Sequence, residues 1–190
     1  MRLVFPTMAY KEKAIEYIQE FWDAGSEVNG SGALDDYVQD STYEEWLQKV
    51  ISDMDVANIP APKVPVLTYF YVREKDDRIV GMCNLRLALN DFLRTEGGHI
   101  GYSVRPTERC KHYATDMLAQ ALKVYDRFSI SDVLVTCDKE NPASAKVIQN
   151  NDGVLEAEFY SETYDETLQR YVIRRGCNSC NTRTTPVCDR

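Results

Sequence analysis

Arg109 and Lys111 stand two residues apart in a turn that joins a strand to a helix. Ile100, Tyr102 and Val104 alternate as strand residues do, and Pro106, which lacks a backbone donor, stops the pairing. From Ala114 the period changes. Ala114, Met117, Leu118, Ala121, Leu122, Tyr125 and Phe128 fall on one face of a helix. The first turn of a helix carries unpaired N–H groups and the positive end of its dipole. With two cations beside them, those N–H groups make a site for an anion. A second turn, Asn141-Pro142-Ala143-Ser144, has the Asn expected of an N-cap and a Pro suited to the first helical position. Just before the first turn lie Glu96 and His99, a carboxylate and an imidazole that can both move protons near neutral pH.

The rest of the chain supplies elements to hold these turns. Leu3 to Phe5 reads as a short strand and Lys11 to Ala24 as a helix with Ala14, Ile15, Ile18, Phe21 and Trp22 on one face. Ser26 to Ser41 is long for a structureless connection, so it is partly helical around Leu34–Val38 or functional. Ser41 or Thr42 caps the next helix through a Ser/Thr-x-x-Glu box. Pro60, Pro62 and Pro65 end the helical region. Val66–Glu74 and Ile79–Leu89 then form a hairpin across a polar turn. Asp132–Cys137 is a nearly continuous apolar strand, the pattern of a buried one. Val154–Ser161 and Leu168–Arg174 close the chain as a strand pair.

The segment Arg109-Cys110-Lys111-His112-Tyr113-Ala114 resembles the acetyl-CoA-binding motif of the GNAT N-acetyltransferases, Arg/Gln-x-x-Gly-x-Gly/Ala, with His112 in the place of the family's Gly. The order β-α-α-β-β-β-α-β-α-β-β over residues 2–175 is also that of the family, as is the strand and turn from Val133 to Ile148. The resemblance implies an α+β fold, a central mixed, mostly antiparallel twisted sheet flanked by helices. It implies a single domain over residues 1–175 and an enzyme that moves the acetyl group of acetyl-CoA to a primary amine. Val104 and Arg105 would then meet the pantetheine arm, and Arg109, Cys110, Lys111, His112, Tyr113 and Ala114 the diphosphate. Asn141 and Ser144 complete the donor site. His99 or Glu96 would serve as base. The family's usual acid, a Tyr seven residues after the Asn, is replaced by Ile148, which passes that task to Tyr160, Tyr164 or a water. The second reading is a weakly catalytic domain that binds CoA or another ligand as a sensor or interaction module. The resemblance also allows a homodimer.

Composition narrows the partners. The net charge is −8, and residues 1–60 carry all of it, with 12 acidic and 4 basic side chains. Nucleic acid is therefore not the expected partner. Asp35 and Asp36 lie in the connection that lines the acceptor side of the GNAT fold, so a small cationic amine is the expected acceptor. No apolar run is long enough to span a membrane, and Met1 to Thr7 does not read as a signal peptide, which makes the cytoplasm the expected location. Of six cysteines, Cys177, Cys180 and Cys188 cluster near the end. Three thiols without a tail His do not make a tetrahedral zinc set, so no metal is expected there. Residues 176–190 are expected to be a disordered or non-native tail.

Overall fold

Alternation along β2 (Val66–Arg73) decides how the layers stack. Leu67, Tyr69 and Tyr71 pack with Met117, Leu118 and Leu122 of α4 (Tyr113–Arg127). Phe70 and Val72 point the other way, into a second core with α1 (Lys11–Asp23) and α3 (Tyr43–Ser52). Each buried Leu or Phe in such a core contributes about 1.5–3 kcal/mol. Trp46 of α3 stacks on Phe70, and its indole N–H donates to Gly32 O at 3.1 Å. Thr42 caps α3 by accepting the Glu45 N–H, as its Ser/Thr-x-x-Glu box requires.

The structure is a computed structural model that describes residues 1–176; the expected Cys-rich tail lies outside the described residues, apart from its first residue. β1 (Arg2–Val4), β2, β3 (Arg78–Arg86) and β4 (Ile100–Val104) form one antiparallel sheet in chain order. β5 (Asp132–Asp138), β7 (Glu166–Arg174) and β6 (Val154–Ser161) form a second antiparallel sheet, with β7 in the middle. α2 (Leu34–Asp40) falls in the long connection where partial helix was expected, and α5 (Pro142–Gln149) begins at the Asn141 cap. A π-helical turn at Leu93–Gly97 replaces the expected plain link. Among the described residues no helix is long and apolar enough to cross a membrane.

Between the two sheets, β4 and β5 meet at their beginnings and then part. The join is His99. Its N–H donates to Leu134 O at 2.7 Å, and the Leu134 N–H donates to His99 Nδ1 at 2.9 Å. The imidazole thus stands in for a backbone acceptor. The His99 carbonyl takes the Arg86 N–H at 2.8 Å and the Tyr125 hydroxyl at 2.5 Å. Gly98 sits at φ +61°, and a Cβ there would lie 2.8 Å from Leu134 O, so the join needs glycine on both counts. Past the join, the facing edges of β4 and β5 open into a cleft.

The His99 Nδ1 can accept only while unprotonated. Burial, with Arg86 and Arg94 nearby, lowers its pKa from 6.5 to about 4. The unfolded chain therefore binds the proton more readily, and stability falls as it does so. His99's contribution should be complete above about pH 6.5 and lost as pH falls through about 4. In urea unfolding, His99→Phe should cost roughly 1–3 kcal/mol at pH 7 by orphaning the Leu134 N–H. The gap between the two proteins should narrow as pH approaches 4; a constant gap would remove this account.

Candidate active site

The turn before α4 has the backbone of an anion cradle. Cys110 and His112 both adopt φ +61°, and His112 is the N-cap of α4 without a side-chain cap of its own. No protein acceptor serves the N–H groups of Cys110 to Ala114 among the described residues. The left-handed turn at His112 is the conformation a glycine would take freely, so the backbone keeps its shape with a side chain added. The cations are arranged differently from the expectation. Arg109 lies over the Phe21 ring and donates to Ser26 Oγ at 2.7 Å and Val104 O at 3.2 Å. Lys111 folds back on Glu108 at 2.8 Å and Thr107 O at 3.1 Å. Glu108 is buried, which raises its pKa, but bonds from Lys111 and Arg73 outweigh this and hold it below the usual range.

Arg105 does not face the donor side. Its side chain is fully buried under α1, donating to Ile79 O at 2.9 Å, Glu16 at 2.9 Å and Glu20 at 2.7 Å. Glu20 also receives both the N–H and the hydroxyl of Thr107, so Arg105 fastens the turn before α4 to α1. The Val104 carbonyl, expected to be offered to a ligand, accepts from Arg109.

Beside the cleft between β4 and β5 lies a cavity of about 350 Å³. Tyr102, Cys137, Asn141 and Ser144 line its donor side. The Asn141 Oδ1 accepts the Ser144 N–H at 3.0 Å, and the Ser144 hydroxyl meets the Tyr102 hydroxyl at 2.9 Å. Burial pushes Tyr102 up to about 12 and the Cys137 thiol up to about 11, so both are neutral near pH 7. Cys137 is thus a small buried group, as its strand pattern suggested, and not an activated nucleophile. Glu27, Glu96, Tyr164 and Glu166 line it as well. Glu96 accepts from Ser161 Oγ at 2.8 Å. The like-charged Asp138 beside Glu166 raises its pKa, burial and Glu27 adding to the effect.

The two other expected proton carriers are elsewhere. His99 does not line this cavity; its Nδ1 is committed to Leu134 and burial keeps it neutral. Tyr160 is 59% exposed on β6 and bonded to Asp165. Tyr164, three residues beyond the strand end, lines the cavity in its place. Ile148 is fully buried in the core, so the position of the usual acid offers no hydroxyl.

A second, polar cavity of about 280 Å³ adjoins the first, with Asn29 and Arg86 common to both. Asp35 and Asp36 line it, as does the loop from Val28 to Ala33. Ser31 Oγ ties Asp35 in place at 2.7 Å. The loop is fixed to β4: Ser103 Oγ donates to Asn29 O, the Tyr17 hydroxyl donates to Ser103 O at 3.1 Å, and Gly30 at φ +75° packs directly on Gly101. The sequence pattern singled out Asp35 and Asp36 through charge. Tyr102 and Arg86 gave no such signal, because each reads as an ordinary strand residue, and Glu166 falls in the turn expected between the last two strands.

Comparison with known proteins agrees with this geometry. A family model described as an acetyltransferase (GNAT) domain matches residues 5–154. No curated protein matches in sequence. Among solved structures, the microcin C7 self-immunity acetyltransferase in complex with acetyl-CoA and AMP superposes at a TM-score of 0.67 with 16% identity, covering 90% of this chain and 91% of that one. A ribosomal-protein-S5-alanine acetyltransferase from Vibrio fischeri gives 0.66 and 16%, covering 97% and 94%. A spermidine N-acetyltransferase variant from Vibrio cholerae gives 0.59 and 11%, covering 92% and 95%.

The buried Arg105 gives this region a stability signature. Arg105→Ala leaves Glu20 without its nearest cation and should cost about 3 kcal/mol in urea unfolding. A cost under about 1 kcal/mol would show that the ion pairs with Glu16 and Glu20 are dispensable.

Proposed function

The chain belongs to the GNAT acetyltransferase family, and from that premise we propose that it transfers the acetyl group of acetyl-CoA to the primary amine of a small cationic acceptor. The observation that carries the reading is the cavity at the β4–β5 cleft, lined by Asn141 and Ser144 together with the carboxylates Glu27, Glu96 and Glu166. The residues present suit the donor. The free N–H groups from Cys110 to Ala114, gathered by two left-handed turns, would hold the diphosphate. Asn141 and Ser144 would meet the pantetheine end. Acetyl-CoA supplies an activated acyl thioester when bound.

The protein's part is then proton management and positioning. Glu96, fixed by Ser161, is placed to take the proton of the incoming ammonium. Ser144 Oγ, hydrogen-bonded to the neutral Tyr102 phenol, can supply one to the departing sulfur. Glu27, Glu166, Asp35 and Asp36 give both cavities a negative field that draws a cation. Cationic polyamine acetylation by the structurally similar spermidine enzyme supports this choice of acceptor class. The second reading, a ligand-binding domain, is favoured by His112 at the diphosphate turn and by buried Ile148 at the usual acid position.

Calorimetric titration with acetyl-CoA, followed by thiol release over a panel of amines, tests the proposal. Binding with release on a cationic amine is expected; no binding overturns it, and binding without release on any amine favours the second reading. Glu96→Gln should keep acetyl-CoA affinity and lower kcat by roughly 10²–10⁴. His112→Gly preserves the turn and clears the side chain, and CoA binding is expected to tighten severalfold; unchanged affinity would show that the imidazole already clears the diphosphate.

A further inference from the structure

Arg86 ends β3 and lies in the wall between the two cavities. Its Nη1 donates to Gly97 O at 2.6 Å and Gly98 O at 3.1 Å, which fixes the plane of the guanidinium. Its Nε and Nη2 make no hydrogen bond within the described residues. They are not sealed in the interior, since the one fully buried side-chain donor without a partner among those residues is Arg105 Nη2. Arg86 itself lines both cavities. Among the described residues no carboxylate comes within ion-pair distance of Arg86. Among the described residues, every other Lys or Arg that lacks an ion pair is exposed, whereas Arg86 is half-buried.

A half-buried guanidinium without a counter-ion is costly, and in this family setting it sits where the acceptor would go. Gly101 is its neighbour on β4: a Cβ there would lie 3.7 Å from Arg86 Nη2, in ordinary van der Waals contact. The free Nε–Nη2 edge presents two parallel N–H donors, the geometry that matches a carboxylate. Around it stand Glu27, Glu96, Asp35 and Asp36, which suit an ammonium.

We propose that Arg86 is the acceptor's carboxylate-binding residue, so that the acceptor is a cationic amine that also carries a carboxylate, as a diamino acid does. The inference rests on the acetyltransferase reading and narrows it. One small molecule then spans the wall, its carboxylate on the Nε–Nη2 edge and its ammonium groups toward Glu96 and Asp36. A simple polyamine satisfies the carboxylates and leaves Arg86 unmatched.

The test compares amines that differ only in the carboxylate: lysine against cadaverine, and ornithine against putrescine. Thiol release with acetyl-CoA is measured for the wild type, Arg86→Lys, Arg86→Gln and Gly101→Ala, with thermal melts confirming that each folds. Wild-type kcat/KM should favour lysine or ornithine at least tenfold. Arg86→Gln should erase that preference, KM rising at least tenfold more for the amino acids than for the diamines. Arg86→Lys should keep part of it. Gly101→Ala, whose methyl would make only van der Waals contact with Nη2, should leave most of it in place. Turnover of the diamines at least equal to that of the amino acids, or a preference that survives in Arg86→Gln, overturns the role of Arg86 while leaving the transferase reading intact. No thiol release on any of the four overturns this inference; the transferase reading falls with it only when the wider amine panel gives no release either.

Discussion

One imidazole joins the edge strands of two sheets that share a single hydrophobic core. His99 binds Leu134 with its backbone N–H and with Nδ1, and its carbonyl is shared by Arg86 and Tyr125. A backbone pairing would have continued from residue to residue, closing β4 onto β5. A side-chain acceptor ends the ladder after one step. The cleft, its unpaired strand edges and the cavity at its side all follow from that substitution of ring for peptide. The nearby left-handed Gly98 is what lets His99 face both ways at once.

In the proposed reading the two substrates meet different chemistry. The free backbone N–H groups before α4 face the donor, with the side-chain cap at Asn141 beside them. Side chains face the acceptor, where carboxylates from the α1–α2 loop, the π-helical turn and β7 line the same cavities as one guanidinium. Backbone recognition tolerates sequence change, which is how His112 can occupy a turn that glycine ordinarily fills. Side-chain recognition does not, and this is the side on which members of one fold come to differ in acceptor.

Much of the fold was legible because it depends on local periodicity. The alternation of β2, the 3.6-residue stripe of α4, the Thr42 and Asn141 caps and the prolines after α3 each state their element within a few residues. The site was less legible, because its residues meet through tertiary contacts. Charge and proximity to motifs single out Glu96 and Asp35, and both line cavities. A His on a strand carries no mark of whether Nδ1 is free; the partner of His99, Leu134, lies on another strand. The partners of Arg105, Glu16 and Glu20, are likewise remote in sequence, on α1. Arg86 and Tyr102 carry no signal because an alternating strand pattern does not say which face lines a cavity, and Glu166 reads as part of a turn.

The contact of Gly30 with Gly101, with Ser103 bound to Asn29 and Tyr17, welds the acceptor loop to β4. Arg109 extends the weld by joining the turn before α4 to Ser26 at the other end of that loop. In the proposed reading the donor and acceptor sites share a strand and a brace. A displacement of β4 by one substrate would then be felt by the loop that receives the other. The fold in this way offers a route for thermodynamic linkage between the two proposed substrates, reciprocal by necessity.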